Sequence, residues 1–260
     1  MIKFLTVIII GLILAGIASG QMLELNQIID SVYIRDSLQK SRINDLVISA
    51  ESYQRKLDSD GNIKEEKKFD KTIYSFDTLY FEEYLTYFKN GEKQSDSERD
   101  KEAEKIREKQ NKGESRNAST SPLEIFYPDK RSGYSFSLVG IEAESECECY
   151  HVRAKSKVDK SDFFDGDFWF DHNTLRPVLV EFRPAKMPGP IKELEMSLAY
   201  DTVASGIYLP ARFNLRGRGK ALWVFGFHFG AEELYSGYRI NTGAAQEFFG
   251  KEKNHENQDL

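Results

Sequence analysis

Two cysteines in 260 residues are too few to staple a fold, so the chain has to hold itself together by burying apolar side chains. The 40% hydrophobic content is enough for one large domain or two small ones without cross-links. Positive charge is not in excess either. Lysine and arginine number 36 against 42 aspartates and glutamates, a net charge of -6. A mildly acidic chain lacks the basic surface that phosphate backbones require, which excludes nucleic acid as a partner.

Long apolar runs are absent after the first twenty residues, so no stable membrane span is expected in the remainder. Those twenty are the exception. Met1-Ile2-Lys3 opens a short apolar run, "FLTVIIIGLILAGI", that closes on Ala18-Ser19-Gly20 before Gln21, the charged start, apolar core and small-residue exit of a secretory signal. Cleavage is expected near Gly20, making residues 1–20 a signal peptide. No cysteine stands at that point to accept a lipid, and the mature chain, 21–260, reads as a single exported domain.

From Leu25, the spacing of Leu25, Ile28, Ile29 and Val32 predicts an amphipathic helix ending before Asn44. Residues 44–76 read as two strands around the turn Asp58-Ser59-Asp60-Gly61-Asn62, and Lys64, Lys67, Lys68 and Lys71 predict that the strand after the turn is exposed on one face. An aromatic strand then ends at Asn90-Gly91. From about 92 to 120 the only large apolar residue is Ile106. That segment cannot build a core and reads as a polar connector, a solvated helix from about Ser97 to Lys109 followed by a flexible link.

After Pro122 the period becomes two. Leu194, Met196, Leu198 and Tyr200 share one side of their strand, and Leu209, Ala211, Phe213 and Leu215 share one side of the next. The run 221–229, "ALWVFGFHF", reads as one further strand covered on both sides. In "FDGDFWFDHNTLRPVLVEF" the same alternation puts Phe164, Phe168 and Phe170 together, with Asp165, Asp167, Trp169 and Asp171 opposite. Those aspartates are therefore the water side of a hairpin that turns at Asp171-His172-Asn173-Thr174. A paired-carboxylate hydrolase needs a desolvated setting that strand-end aspartates lack.

Cys147, Cys149 and His151 project from one side of a strand, but alternate positions are poorly placed for three ligands to converge on one ion. A Cys147–Cys149 disulfide requires the strand to bend, and a nucleophilic thiol there lacks an orienting third group. Gly217-Arg218-Gly219-Lys220 lacks the full phosphate-loop spacing and reads as a bulge or turn. No catalytic residue, metal or cofactor is expected.

Two stretches carry a resemblance: "DGDFWFDHNTLRPVLVEF", and "MPGPIKELEMSLAYDTVASGIYLPARFNLRGRGKALWVFGF". Their succession of a strand, a D-x-x-T turn, a strand ending in small and proline residues and a strand with a Tyr-Leu-Pro step resembles the LolA-like superfamily of periplasmic lipoprotein carriers. The "KNGEK" turn before a charged helix fits the same relatives. The resemblance implies a mainly β (α+β) fold, a curved antiparallel sheet forming an unclosed barrel with amphipathic helices as a lid over an apolar hollow. It also implies a periplasmic location and a carrier or sensor whose partner is a lipid or lipoprotein acyl chain. Strand parity then nominates Phe164, Phe168, Phe170, Val180, Met196, Leu198, Phe213, Trp223 and Phe225 as its lining. The alternative is an envelope protein-protein interaction module. In that reading the charged segment and a strand edge dock a protein partner, and the sheet interior is packed without lipid.

Overall fold

The computed structural model describes residues 22–58, 60–111, 121–221 and 225–256; the signal-like segment, the link 112–120 and Trp223 lie outside them. A first helix, α1 (Leu25–Arg42), precedes a three-strand meander, β1 (Asp45–Leu57), β2 (Ile63–Phe76) and β3 (Leu79–Lys89). The two-residue β4 (Glu92–Lys93) and the helix α2 (Asp96–Asn111) follow. After the 3-10 segment Pro122–Phe126 come β5 (Tyr134–Glu144), β6 (Cys147–Ser156), β7 (Phe164–Asp171) and β8 (Pro177–Pro184). The longest strands are β9 (Ile191–Ala204), β10 (Ile207–Ala221) and β11 (Phe225–Ile240), and α3 (Ala244–Glu256) ends the described chain.

All eleven strands join one antiparallel sheet in the order β4-β3-β2-β1-β11-β10-β9-β8-β7-β6-β5, which is not closed, since β4 and β5 remain as edges. The expected meander with an amphipathic first helix is present. The turns at Asp58–Asn62 and Asn90–Gly91 are where the sequence put them. Asp58 Oδ1 accepts from the backbone N–H groups of Asp60 and Asn62, and Asn90 and Gly91 take the positive φ values of 52° and 83° that a tight hairpin demands.

One row of cross-strand neighbours runs Val152–Phe168–Val180–Leu198–Phe213–Glu233–Ser52–Phe69–Tyr87, from β6 to β3. It defines a core face. At its β5–β8 end, Ile28, Ile29 and Val32 of α1 and Leu123, Ile125 and Phe126 pack on Tyr134, Tyr150, Val152, Phe168, Phe170 and Val180. The adjacent row, Arg153–Asp167–Glu181–Ser197–Asn214–Glu232–Tyr53–Lys68, belongs to a polar face.

Three expectations are corrected. The segment after β4 is more than a connector, because α2 buries Ala103 against Phe69, Tyr84 and Tyr87, with Ile106 beside them. It is fastened by Lys67–Glu102 at 2.5 Å and by Arg99 and Arg107 donating to the Leu85 and Glu82 carbonyls. Lys71 is not exposed. Its ammonium is buried between Glu233 at 2.5 Å and Glu82 at 3.1 Å. Finally, the run 221–229 is not one strand, for Ala221 faces Phe225 across the β10–β11 pair and the chain reverses between them.

Candidate functional site

On the core face the sheet has two covered ends and a barer middle. Along β9, β10 and β11 the core-facing positions are Leu194, Met196 and Leu198; Phe213, Leu215, Gly217 and Gly219; and Ala231, Phe229 and Phe227. Leu198 is buried, whereas Met196, Phe213, Leu215, Phe227 and Phe229 are only half-buried. The main core cluster reaches Phe182 and Tyr200 and stops there. Gly217 and Gly219 fit the two aromatic neighbours, because a Cβ at either glycine would strike the ring of Phe229 or Phe227. The two rings lie stacked with centroids 6.0 Å apart. This is an apolar strip three strands wide.

The nominated lining divides along the same boundary. Phe164, Phe168, Phe170 and Val180 are inside the cluster under α1 and Phe126, whose ring meets Phe168 edge-on at 4.9 Å. Met196, Leu198 and Phe213 are in the strip, where Val180 pairs with Leu198, Leu198 with Phe213, and Phe182 with Met196. Trp223 lies outside the described residues, as does the side chain of Phe225. The nominated lining left out Leu215, Phe227 and Phe229, although parity puts Leu215 on the side of Phe213 and the two phenylalanines on the side of Phe225. What the β10–β11 register adds for the last two is their seating opposite Gly217 and Gly219.

The polar face holds a trough of about 1230 Å3 running from Arg153 and Asp167 to Arg55. Its charges largely satisfy one another. Arg153 meets Asp167 at 2.7 Å, Lys155 meets Asp165 at 2.8 Å, and Arg55 meets Glu66 at 2.7 Å and Glu232 at 3.4 Å. Beside it His151 donates to or accepts from Asp167 at 2.7 Å and Glu142 at 3.1 Å and stacks on Trp169 at 4.5 Å. Both ring nitrogens are therefore engaged away from the thiols. The cysteine sulfurs lie 3.1 Å apart, and burial, with Cys147 alongside, raises the Cys149 thiol above its ordinary pKa, the wrong direction for a nucleophile at neutral pH. Among the described residues no group of three or more His, Cys, Asp or Glu side chains is arranged to hold a metal ion.

The predicted D-x-x-T turn is built as its residue types require. Asp171 Oδ1 accepts from the Thr174 N–H and hydroxyl, both at 2.7 Å, and from the Asn173 N–H at 3.1 Å. Burial pushes this carboxyl up, but the Thr174 donors and the nearby Arg176 outweigh it and hold its pKa below the ordinary value.

Neither a family model nor a curated protein matches the chain. Among solved structures it is similar to a putative outer membrane lipoprotein-sorting protein domain from Vibrio parahaemolyticus, with 12% identity, a TM-score of 0.37, and coverage of 81% of this chain and 92% of that one. It is also similar to a LolA superfamily protein from Nitrosomonas europaea, with 9% identity, a TM-score of 0.33, and coverage of 80% and 93%. The MucA/MucB complex of Pseudomonas aeruginosa aligns at 10% identity and a TM-score of 0.24, covering 81% and 99%. The first two bear the names of the group that the C-terminal motifs resemble. At these scores none of the three carries an argument about ligand or partner. No described helix is long and apolar enough to cross a membrane.

Proposed function

We propose that the chain is an exported, non-enzymatic carrier or sensor that holds acyl chains of lipid or lipoprotein against the core face of β9–β11. The observation that carries this reading is the strip of Met196, Phe213, Leu215, Phe227 and Phe229, left only half-buried between two regions that helices cover. Withdrawing a methylene from water contributes about 0.8 kcal/mol. A chain of roughly ten carbons laid along the strip would then offset the several kcal/mol that association costs. Phe182 links the strip to the cluster containing Phe164, Phe168, Phe170 and Val180. In this reading those four form the wall beneath α1, and Met196, Leu198 and Phe213 are the surface that meets cargo.

Native mass spectrometry of the chain purified from its host's exported fraction without detergent tests this directly. The expected result is an adduct of lipid mass that organic extraction removes and that the double variant Met196→Gln/Phe213→Gln no longer retains. A clean unliganded mass, or an adduct that the folded double variant keeps, would overturn it. The competing reading as an envelope interaction module draws on the polar trough, whose matched charges suit a protein surface better than a lipid. It predicts no adduct.

A further inference from the structure

The core-facing stripe of α1 changes chemistry halfway along. Ile28, Ile29 and Val32 are buried in the main cluster, but the next positions on that stripe are Arg35, Asp36, Gln39 and Arg42. Polar residues at positions that helical spacing assigns to a core are inconsistent with packing alone and call for a functional cause. Here they overhang a cavity of about 190 Å3 instead of a packed surface. Its apolar wall is Val32, Leu38, Leu123, Leu175 and Pro177, and Arg176, Gly206 and Tyr208 complete it from the β7–β8 and β9–β10 turns.

The charge within this cavity is unbalanced. Asp36 is already neutralised, since it accepts from the Tyr127 hydroxyl at 2.7 Å and faces Lys40 at 3.3 Å. Gln39 is spent on the Tyr208 backbone, donating to its carbonyl at 2.9 Å and accepting from its N–H at 2.7 Å. Arg176 is held 3.8 Å from Asp171 and donates to Thr202. Among the described residues no carboxylate comes within ion-pair distance of the Arg35 or Arg42 guanidinium. Arg42 reaches over Gly206 at the mouth, with its Nη1 3.9 Å from where a Cβ on that glycine would stand.

Leu175, between the Asp171 turn and Arg176, adds a further sign. It is buried with φ at +54°, a left-handed conformation that a bulky side chain rarely adopts. The strained residue puts its own side chain into the apolar wall and Arg176 into the rim.

We infer that this cavity is a second binding site, separate from the strip, for an anionic group borne on a short apolar body, with Arg35 and Arg42 as the charge partners and Leu38, Leu123, Leu175 and Pro177 holding the body. A carboxylate fits the planar guanidinium fork, and at about 190 Å3 the cavity holds a short-chain acid but not a diacyl lipid. The same chemistry arises from a free short-chain acid or from the head of a longer amphiphile.

Calorimetric titration of the full chain with hexanoate, hexanol and hexadecanoate separates these cases. Hexanoate is expected to bind at least tenfold more tightly than hexanol, with affinity falling as salt rises. Arg35→Gln/Arg42→Gln should erase that preference, and Arg35→Lys/Arg42→Lys should retain part of it. Hexadecanoate binding no tighter than hexanoate would identify a free acid as the ligand, and much tighter binding the head of an amphiphile. Equal affinity for hexanoate and hexanol in the wild-type chain, or a preference that survives the glutamine pair, would overturn the inference. The glutamines replace one half-buried and one exposed side chain on a single helix, and an unchanged circular dichroism spectrum verifies folding. Failure here leaves the lipid adduct of the strip standing, because that adduct is lost with Met196 and Phe213 and not with the arginines.

Discussion

The two covered ends of the core face are closed by the same device, a helix laid across strands, yet they are built from opposite chemistry. Under α1 the buried set is apolar, aliphatic and aromatic side chains together, with Phe126, Phe168 and Phe170 meeting edge-on or stacked. Beside α2, on β2, β3 and β11, the buried set holds an ion cluster, Lys71 between Glu82 and Glu233, with Tyr80 and Tyr84 donating to Glu82 at 2.6 and 2.7 Å. Burial alone would strip the charges. It pulls the Lys71 ammonium down, but Glu233 and Glu82 more than reverse this and raise its pKa, whereas Glu233 stays pushed up. Apolar packing fails locally, by leaving a hole. A buried ion cluster fails collectively, because each charge is the reason the others can be there.

That contrast can be broken most sharply at Lys71. Replacing it with Met leaves two buried carboxylates without a counter-charge, and urea denaturation should give a loss of about 3–5 kcal/mol. The triple replacement Lys71→Met/Glu82→Gln/Glu233→Gln should recover most of that loss, the non-additivity expected of a cluster. Phe168→Ala at the other end should cost about 3–5 kcal/mol with no such rescue by a second truncation, since a cavity is not repaired by enlarging it. The Asp171 turn beside the apolar end comes next, at about 1–3 kcal/mol for Asp171→Ala, read from the same denaturation curves. Because its folded pKa lies below its unfolded value, its contribution is complete at pH values above the unfolded one, near 4, and is lost as pH falls through the folded one. Acid titration of stability should therefore flatten below about pH 4 in Asp171→Asn relative to wild type. The smallest effect is expected at the partly buried ion pair Lys67–Glu102 that pins α2, where Glu102→Gln should cost no more than about 1 kcal/mol.

The difference between the two ends also explains what could be read from the amino acids alone. Phe164, Phe168 and Phe170 alternate with aspartates, and Met196 and Leu198 alternate with Glu195 and Ser197, so side and partner follow from period two. Asp171 and Thr174 announce their turn by residue type. Lys71 has no such signature. Its burial depends on Glu233, which pairs with Ser52 on β1 and lies far away along the chain. The reversal between Ala221 and Phe225 was equally hidden, for "ALWVF" contains none of the Gly, Asn, Asp or Pro residues that mark a hairpin. In α2 the docking surface is little more than Ala103 and Ile106, too sparse for periodicity to register. The candidate strip was half legible. Its members on each strand follow from parity, but that the Phe227 and Phe229 side of β11 joins the Phe213 side of β10 required the register.

The seam between β1 and β11 sets the order in which the molecule can be made. Leu46 pairs with Ile240, so the first and last strands lie side by side in the interior of the sheet. A chain synthesised from its N-terminus presents β1 with one bare edge until the last strand has left the ribosome, while β5 to β10 assemble by successive local hairpins. Closure of that seam is thus a late, long-range step, and the interval before it is when the exposed β1 edge is open to wrong partners. A chain stopped after β10 would retain the hairpins within β1–β4 and within β5–β10 yet consist of two sheets that never meet.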